Sequence, residues 1–155
     1  MIAAEQKMLT FALNKEHYGV FIQKVKEIIG MVEITKLPQS PDFIKGVINL
    51  RGIIIPVLDL RLKFSMEAIP YDERTCIIIM QVTINGKEKL LGVIVDSVSE
   101  VINISSDDIE ESIDYGSNLD TDFIVGIGKI KEKVLILLDI DKIINCKEII
   151  AVFEK

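Results

Sequence analysis

The chain repeats itself, and that constrains its fold more than any local motif. Residues 43-FIKGVINLRGIIIPVLDL-60 align without a gap on 123-FIVGIGKIKEKVLILLDI-140, an offset of 80, with Phe, Ile, Gly and Asp in register. Upstream, 18-YGVFIQKVKEII-29 aligns on 91-LGVIVDSVSEVI-102 at an offset of 73. The difference is a seven-residue insertion in the second copy. It falls in 105-SSDDIEESIDYGSNLDTD-122, the most polar and acidic stretch, which reads as a surface loop. Two copies must build two similar lobes. Each, at roughly 75 residues, is too small to be comfortably stable alone, so they pack together and leave a seam.

The local pattern makes these lobes β. Leu9, Phe11 and Leu13 alternate with polar or small residues, and a polar turn, Asn14–His17, leads into 18-YGVFI-22. Asn85-Gly86 separates 75-TCIIIMQVTI-84 from 90-LLGVIV-95, and both residues accept the positive φ of a type I′ hairpin turn. Short, evenly spaced strands point to small barrels rather than to a parallel sheet with crossover helices. The one expected long helix is C-terminal, about 140–152, starting near Asp139 or Asp141 with Ile140, Ile143, Ile144 and Ile150 on one face. The whole, 1–155, reads as a single domain. Its first lobe spans about 15–80 and its second about 81–140, leaving open whether the N-terminal strand crosses over.

Composition excludes several functions. With 155 residues, 49% hydrophobic and 27% charged, the chain has enough apolar matter for a core. A net charge of −6 without a basic block argues against nucleic acid or an anionic membrane as partner. Apolar runs such as 134-VLILL-138 fall far short of a membrane helix, and MIAAEQK shows no signal peptide, so the chain is expected to be soluble and cytoplasmic. Cys76 and Cys146 lie beside apolar residues and fit a reducing compartment. His17, the lone histidine, sits in a polar turn without a nucleophile, so no triad is legible. Gly126-Ile127-Gly128 lacks the third glycine of a dinucleotide loop. The acids between Asp107 and Asp122 do not follow calcium-loop spacing. No cofactor or metal is expected, and a binding or scaffolding module is favoured over an enzyme.

Three features ask for more. Arg51-Gly52 places a charge between apolar runs where the repeat has Lys131-Glu132. In 25-VKEII-29 and 98-VSEVI-102, read as turns, aliphatic residues surround a glutamate. Pro56 interrupts a strand pattern, where it implies an edge or a bulge. Each has a plain structural reading as well: a solvated turn, a barrel cap, a protected edge.

With 49-NLRGIIIPVLDLR-61, preceded by 34-ITKLPQSPDF-43 and answered by 92-GVIVDSVSEVI-102 and 123-FIVGIGK-129, nearly the whole chain resembles the CheW family of chemotaxis coupling proteins. The resemblance implies an all-β protein with minor helices: two SH3-like five-stranded barrels with a groove between them, plus the C-terminal helix. It also implies no catalysis. The expected partners are the cytoplasmic tip of methyl-accepting chemoreceptors and the regulatory domain of the histidine kinase CheA, in ternary arrays at the membrane. The output is flagellar or, alternatively, that of another chemosensory pathway. No receiver or phosphotransfer segment accompanies the domain, as expected of the coupling protein rather than of its relatives CheV and CheA. The family's receptor-groove positions fall on Val25, Glu27, Gly46, Arg51 and Val101, with Ile28, Asn49, Leu50 and Val98 as neighbours. The kinase-facing surface is expected in 33-EITKLPQ-39, at Ile34, Lys36 and Leu37. A nucleic-acid-binding barrel is the competing class, and it would need a basic, aromatic face that 6% aromatic content does not supply.

Overall fold

Turn chemistry sets the strand register. Two-residue turns with positive φ at both positions occur at Asn14-Lys15, Arg51-Gly52, Asn85-Gly86 and Lys131-Glu132, the geometry that matches the twist of a hairpin. The computed structural model describes residues 5–110, 123–145 and 147–153. In the first copy of the repeat, strands β1 (Glu5–Leu13), β2 (Glu16–Phe21), β3 (Val25–Gly30), β4 (Ile44–Leu50) and β5 (Ile53–Asp59) lead into a one-turn helix α1 (Leu60–Lys63). The second copy runs β6 (Cys76–Ile84), β7 (Lys87–Val95), β8 (Ser97–Ser105), a short β9 (Ile109–Glu110), β10 (Ile124–Ile130), β11 (Lys133–Leu138) and α2 (Ile140–Ile143). A last helix, α3 (Lys147–Phe153), follows. The protein is mostly β, in two sheets of order β8-β1-β2-β11-β10-β9 and β3-β6-β7-β5-β4.

The repeat holds in detail. The Arg51-Gly52 hairpin and the Lys131-Glu132 hairpin carry register shifts at Ile44/Gly46 and Ile124/Gly126. Asp59 and Asp139 each donate their backbone N–H to the carbonyl of the phenylalanine that opens the motif, Phe43 or Phe123, at 2.8 Å. Each then caps the following helix with its carboxylate. Yet each sheet is made from both copies. The β1–β2 hairpin joins strands β8 to β11, and the β6–β7 hairpin joins β3 to β5, held by parallel ladders β2·β11 and β7·β5. The expected boundary near residue 80 is therefore displaced: the sheet of β3 to β7 spans 25–95, and the whole N-terminal hairpin, beyond its first strand, belongs with the second half. The physical cause is the short link between the second and third strands of each copy. A 3-10 turn, Ile22–Lys24, and the single residue Asp96 carry the chain straight from one sheet into the other.

Three apolar clusters result. Ile48, Ile55, Val57, Ile77, Ile79 and Ile94 fill the inner face of one sheet, and Met8, Ile104, Leu135 and Leu137 that of the other. The largest lies between the sheets and includes Leu9, Phe11, Val20, Leu58, Ile78, Met80, Val93 and Leu138. Alternate residues of one strand thus enter different cores. This is why 76-CIIIMQVTI-84 is apolar almost throughout rather than at every second position.

Several expectations are corrected. The 25–29 and 98–102 segments are strands, the edge strands β3 and β8: their Val- and Ile-rich runs suit a ladder, and a bulge in each absorbs the spacing of three. The polar turn after β1 is only Asn14-Lys15, and His17 already pairs with Ala12. The C-terminal helix is two short pieces: α2 repeats the one-turn α1, and after the break beyond Ile144 it is Ile149 that is fully buried, with Ile150 half-buried against the same cluster. Pro56 lies in β5, an inner strand, just before the residues of β5 that pair with β7, so its missing N–H interrupts nothing. Of the acidic insertion, residues 111–122 lie outside the described chain, as does Cys146. Among the described residues no helix is long and apolar enough to cross a membrane.

Candidate partner-binding surface

Arg51 occupies the tip between β4 and β5 at φ +51°. The tip is closed by Asn49, whose side-chain oxygen accepts the Gly52 N–H at 2.8 Å. The Arg51 guanidinium reaches β3, at the opposite end of the sheet order, and forks onto Glu27: one amino group donates to Oε2 at 3.1 Å, the other to Oε1 at 2.5 Å. The sheet is therefore curled until its two margins are bridged. The hydrogen bond from Arg51 holds the Glu27 carboxyl below the usual carboxylate range, and the pairing raises Arg51. A carboxyl whose pKa is lowered by folding keeps its bridge at neutral pH and loses it as pH falls through the lowered value. Arg51 remains 69% exposed, so its outer side is open to a partner. The second copy has Glu100 and Lys131 at these positions, and no such pair forms among the described residues.

The four aliphatic candidates are aligned by matching bulges. On β3, Val25 stands opposite Met80 and Ile28 opposite Ile78. On β8, Val98 stands opposite Phe11 and Val101 opposite Leu9. In both strands two residues face one on the partner, Lys26-Glu27 against Ile79 and Ser99-Glu100 against Thr10. In a regular strand, residues three apart point to opposite faces. The extra residue reverses this and sets both members of each pair on the face that carries the between-sheet cluster. Val25 and Val98 pack on that cluster, while Ile28 and Val101 stay 41% and 51% exposed. Each sheet thus offers one edge with an anchored and a free aliphatic side chain.

The remaining candidates separate. Leu50 turns inward onto the cluster with Ile48 and Ile55. Gly46 serves the backbone. At φ +142° a Cβ there would sit 2.0 Å from the Thr35 carbonyl oxygen, where Thr35 and Val47 exchange backbone hydrogen bonds of 2.8 and 2.9 Å. Gly46→Ala is expected to cost at least about 3 kcal/mol, measured by urea unfolding. Gly30→Ala, with nothing within 4 Å of its would-be Cβ, should be near neutral. Equal midpoints for the two variants would refute this. Ile34 and Lys36 border an open groove of ≈ 490 Å³ with Tyr71 and Lys45. Leu37 borders a different one, ≈ 450 Å³, with the exposed Ile53 and Ile54 and with Phe153.

Sequence reasoning missed the polar network beneath. Arg61 is only 8% exposed. It grips both carboxylate oxygens of Asp96 at 2.7 and 2.8 Å and donates to the Glu67 carbonyl at 2.9 Å. Asp59 accepts the Arg61 N–H at 2.9 Å and the Tyr71 hydroxyl at 2.7 Å, and burial together with that bond raises the Tyr71 pKa. The other copy answers with reversed polarity: Asp141, equivalent to Arg61, binds Lys24 at 2.6 Å. Both pairs tie a sheet-to-sheet crossing to a one-turn helix. The signal that could have found the network is Asp-Leu-Arg at 59–61 closing a buried strand, where an unpaired charge is untenable.

The CheW-like domain model matches residues 7–148. The chain belongs to the CheW-like family. The chemotaxis protein CheW of Klebsiella aerogenes is 40% identical over 147 residues, covering 95% of this chain and 86% of that protein. The Bacillus subtilis protein of the same name is 32% identical over 145 residues, covering 93% and 90%. Among solved structures, the scaffolding protein TtCheW of Thermoanaerobacter tengcongensis superposes with a TM-score of 0.80 at 37% identity, covering 92% of this chain and 94% of that one. In this chain the NLRG hairpin of the CheW-like pattern is the curled sheet's bridging tip, and the PVLDLR segment is its buried ion-pair anchor.

Proposed function

We propose that this protein is a non-catalytic adaptor that couples methyl-accepting chemoreceptors to the histidine kinase CheA, working in the cytoplasm and recruited to receptor arrays. We read each curled sheet as an SH3-like barrel of five principal strands. The observation that carries the proposal is the pair of equivalent bulged edges, Val25/Ile28 and Val98/Val101, flanking the apolar seam beside the Arg51–Glu27 bridge. Aliphatic anchors of this kind suit the i, i+3, i+4 side chains of a helical receptor tip. Three or four of them, each worth roughly 1.5–3 kcal/mol before the cost of association, give micromolar affinity. Multivalency in an array raises that without new contacts. We assign the kinase surface to Ile34, Lys36 and Leu37, the first two bordering one open groove and Leu37 bordering another together with Val47, the bridge partner of Thr35.

The test is reconstitution with receptor-containing membranes and CheA. Receptor-controlled autophosphorylation of the kinase should require this protein. Kinase activity indifferent to its presence would overturn the reading.

A further inference from the structure

The two bulges are equivalent but are braced differently. Thr10 and Ile79 hold the same place in the repeat, opposite Gly19 and Gly92. Ile79 is an inner-core side chain and pairs with Glu27 through the backbone ladder. Thr10 is buried too, 4% exposed on the same inward side as Met8, where an aliphatic side chain would be the ordinary choice. Its hydroxyl instead accepts the Glu100 N–H at 3.0 Å and donates to the Glu100 carbonyl at 2.9 Å. One side chain thereby satisfies both backbone groups of Glu100, one of the two residues, Ser99 and Glu100, that the β1·β8 register passes over.

We propose that Thr10 is a positioning residue for the receptor-facing edge: its hydroxyl holds the β8 bulge, and the bulge puts Val98 and Val101 on one face. This rests on the receptor-edge reading above. The geometry leaves little slack. If the extra residue slips out of the bulge, every side chain beyond it turns to the opposite face, and Val101 leaves the seam side. On β3 the Arg51–Glu27 bridge adds a clamp at the bulge residue itself. The corresponding Glu100 makes no ion pair among the described residues, so the brace comes from beneath.

The experiment compares Thr10→Val, which keeps shape and removes the hydroxyl, with Thr10→Ser, which keeps the hydroxyl. The probes are a purified cytoplasmic-tip fragment of a methyl-accepting receptor and the CheA regulatory domain. Thr10→Val should lower tip affinity about tenfold while Thr10→Ser stays within about twofold, as expected when a buried backbone pair loses its partner. Neither should change binding to the CheA regulatory domain, and hydrogen exchange at the Glu100 amide should accelerate in the valine variant alone. Should Thr10→Val not fold, Thr10→Ala replaces it as the hydroxyl-free member. Unchanged tip affinity in the hydroxyl-free variant, equal loss of both partners, or a serine variant as weak as the valine would each overturn the proposal. Val101→Glu separates the two levels: if it leaves tip binding intact, the receptor-edge reading fails and Thr10's role fails with it. A silent Thr10→Val beside a damaging Val101→Glu refutes only the brace.

Discussion

Arg51→Glu is expected to remain folded and to lose coupling, with binding to receptor tip or CheA weakened at least tenfold, about the scale for a lost interfacial charge contact. The guanidinium is mostly exposed, and the turn beneath it is held by Asn49 and the hairpin ladder, so no buried charge is stranded by the change. Two glutamates then face each other across the curled sheet, and the tip parts from β3. A charge swap, Glu27→Arg with Arg51→Glu, separates the two ways in which the arginine could act. If Arg51 orders the surface, the swap restores binding; if it touches the partner, the swap stays defective. Pull-downs and thermal melting of the single and double variants supply the readout. A folded Arg51→Glu protein with unaltered affinity for both partners would end the idea.

Asp96→Ala is expected to produce the largest loss of stability among changes at the ion pairs. Arg61 lies in a nearly closed site, with side-chain exposures of 10% for Arg61 and 21% for Asp96, and removing the carboxylate leaves a guanidinium with one remaining protein partner. Breaking a pair this buried costs about 3 kcal/mol, which lowers Tm by roughly 6–12 °C in a chain of this length. Adding Arg61→Met should recover part of the loss, because the stranded charge is gone. Asp141→Ala, which breaks the more exposed Lys24 pair, should cost less, on the order of 1 kcal/mol. Calorimetric melting of the wild type and these variants decides it. A shift below about 2 °C for Asp96→Ala would mean that water reaches Arg61 freely.

These two arginines fall on opposite sides of what can be read without coordinates. Arg51 is conspicuous because the repeat replaces it, so its special status is legible. Its partner Glu27, 24 residues away on the other margin of the sheet, stands out as the glutamate of a repeated segment, but nothing local pairs it with Arg51. Arg61 stands in the same NLRGIIIPVLDLR run; its place at the end of a buried strand hints at a need for a counter-charge, but nothing local names Asp96, 35 residues away, as the partner. Val25, Ile28, Val98 and Val101 group together in the sequence because their spacing of three suggests helical turns. The grouping holds for a different reason: a bulge in each strand gives the same one-sided display.

What the amino-acid order determined alone is whatever depends on chain neighbours and on self-similarity. That includes the duplication, a hairpin within Asn14–His17 and one at Asn85-Gly86, the strand period, and the pattern that marks the family. Only the tertiary structure decided that the two copies trade their first hairpins, that one sheet curls until Arg51 meets Glu27, and that Thr10 meets the β8 bulge. The physical reason is that period and turn propensity act over a few residues. Sheet order and bulge register are chosen by pairings between strands distant in sequence, and a one-residue shift there reverses which face every side chain takes.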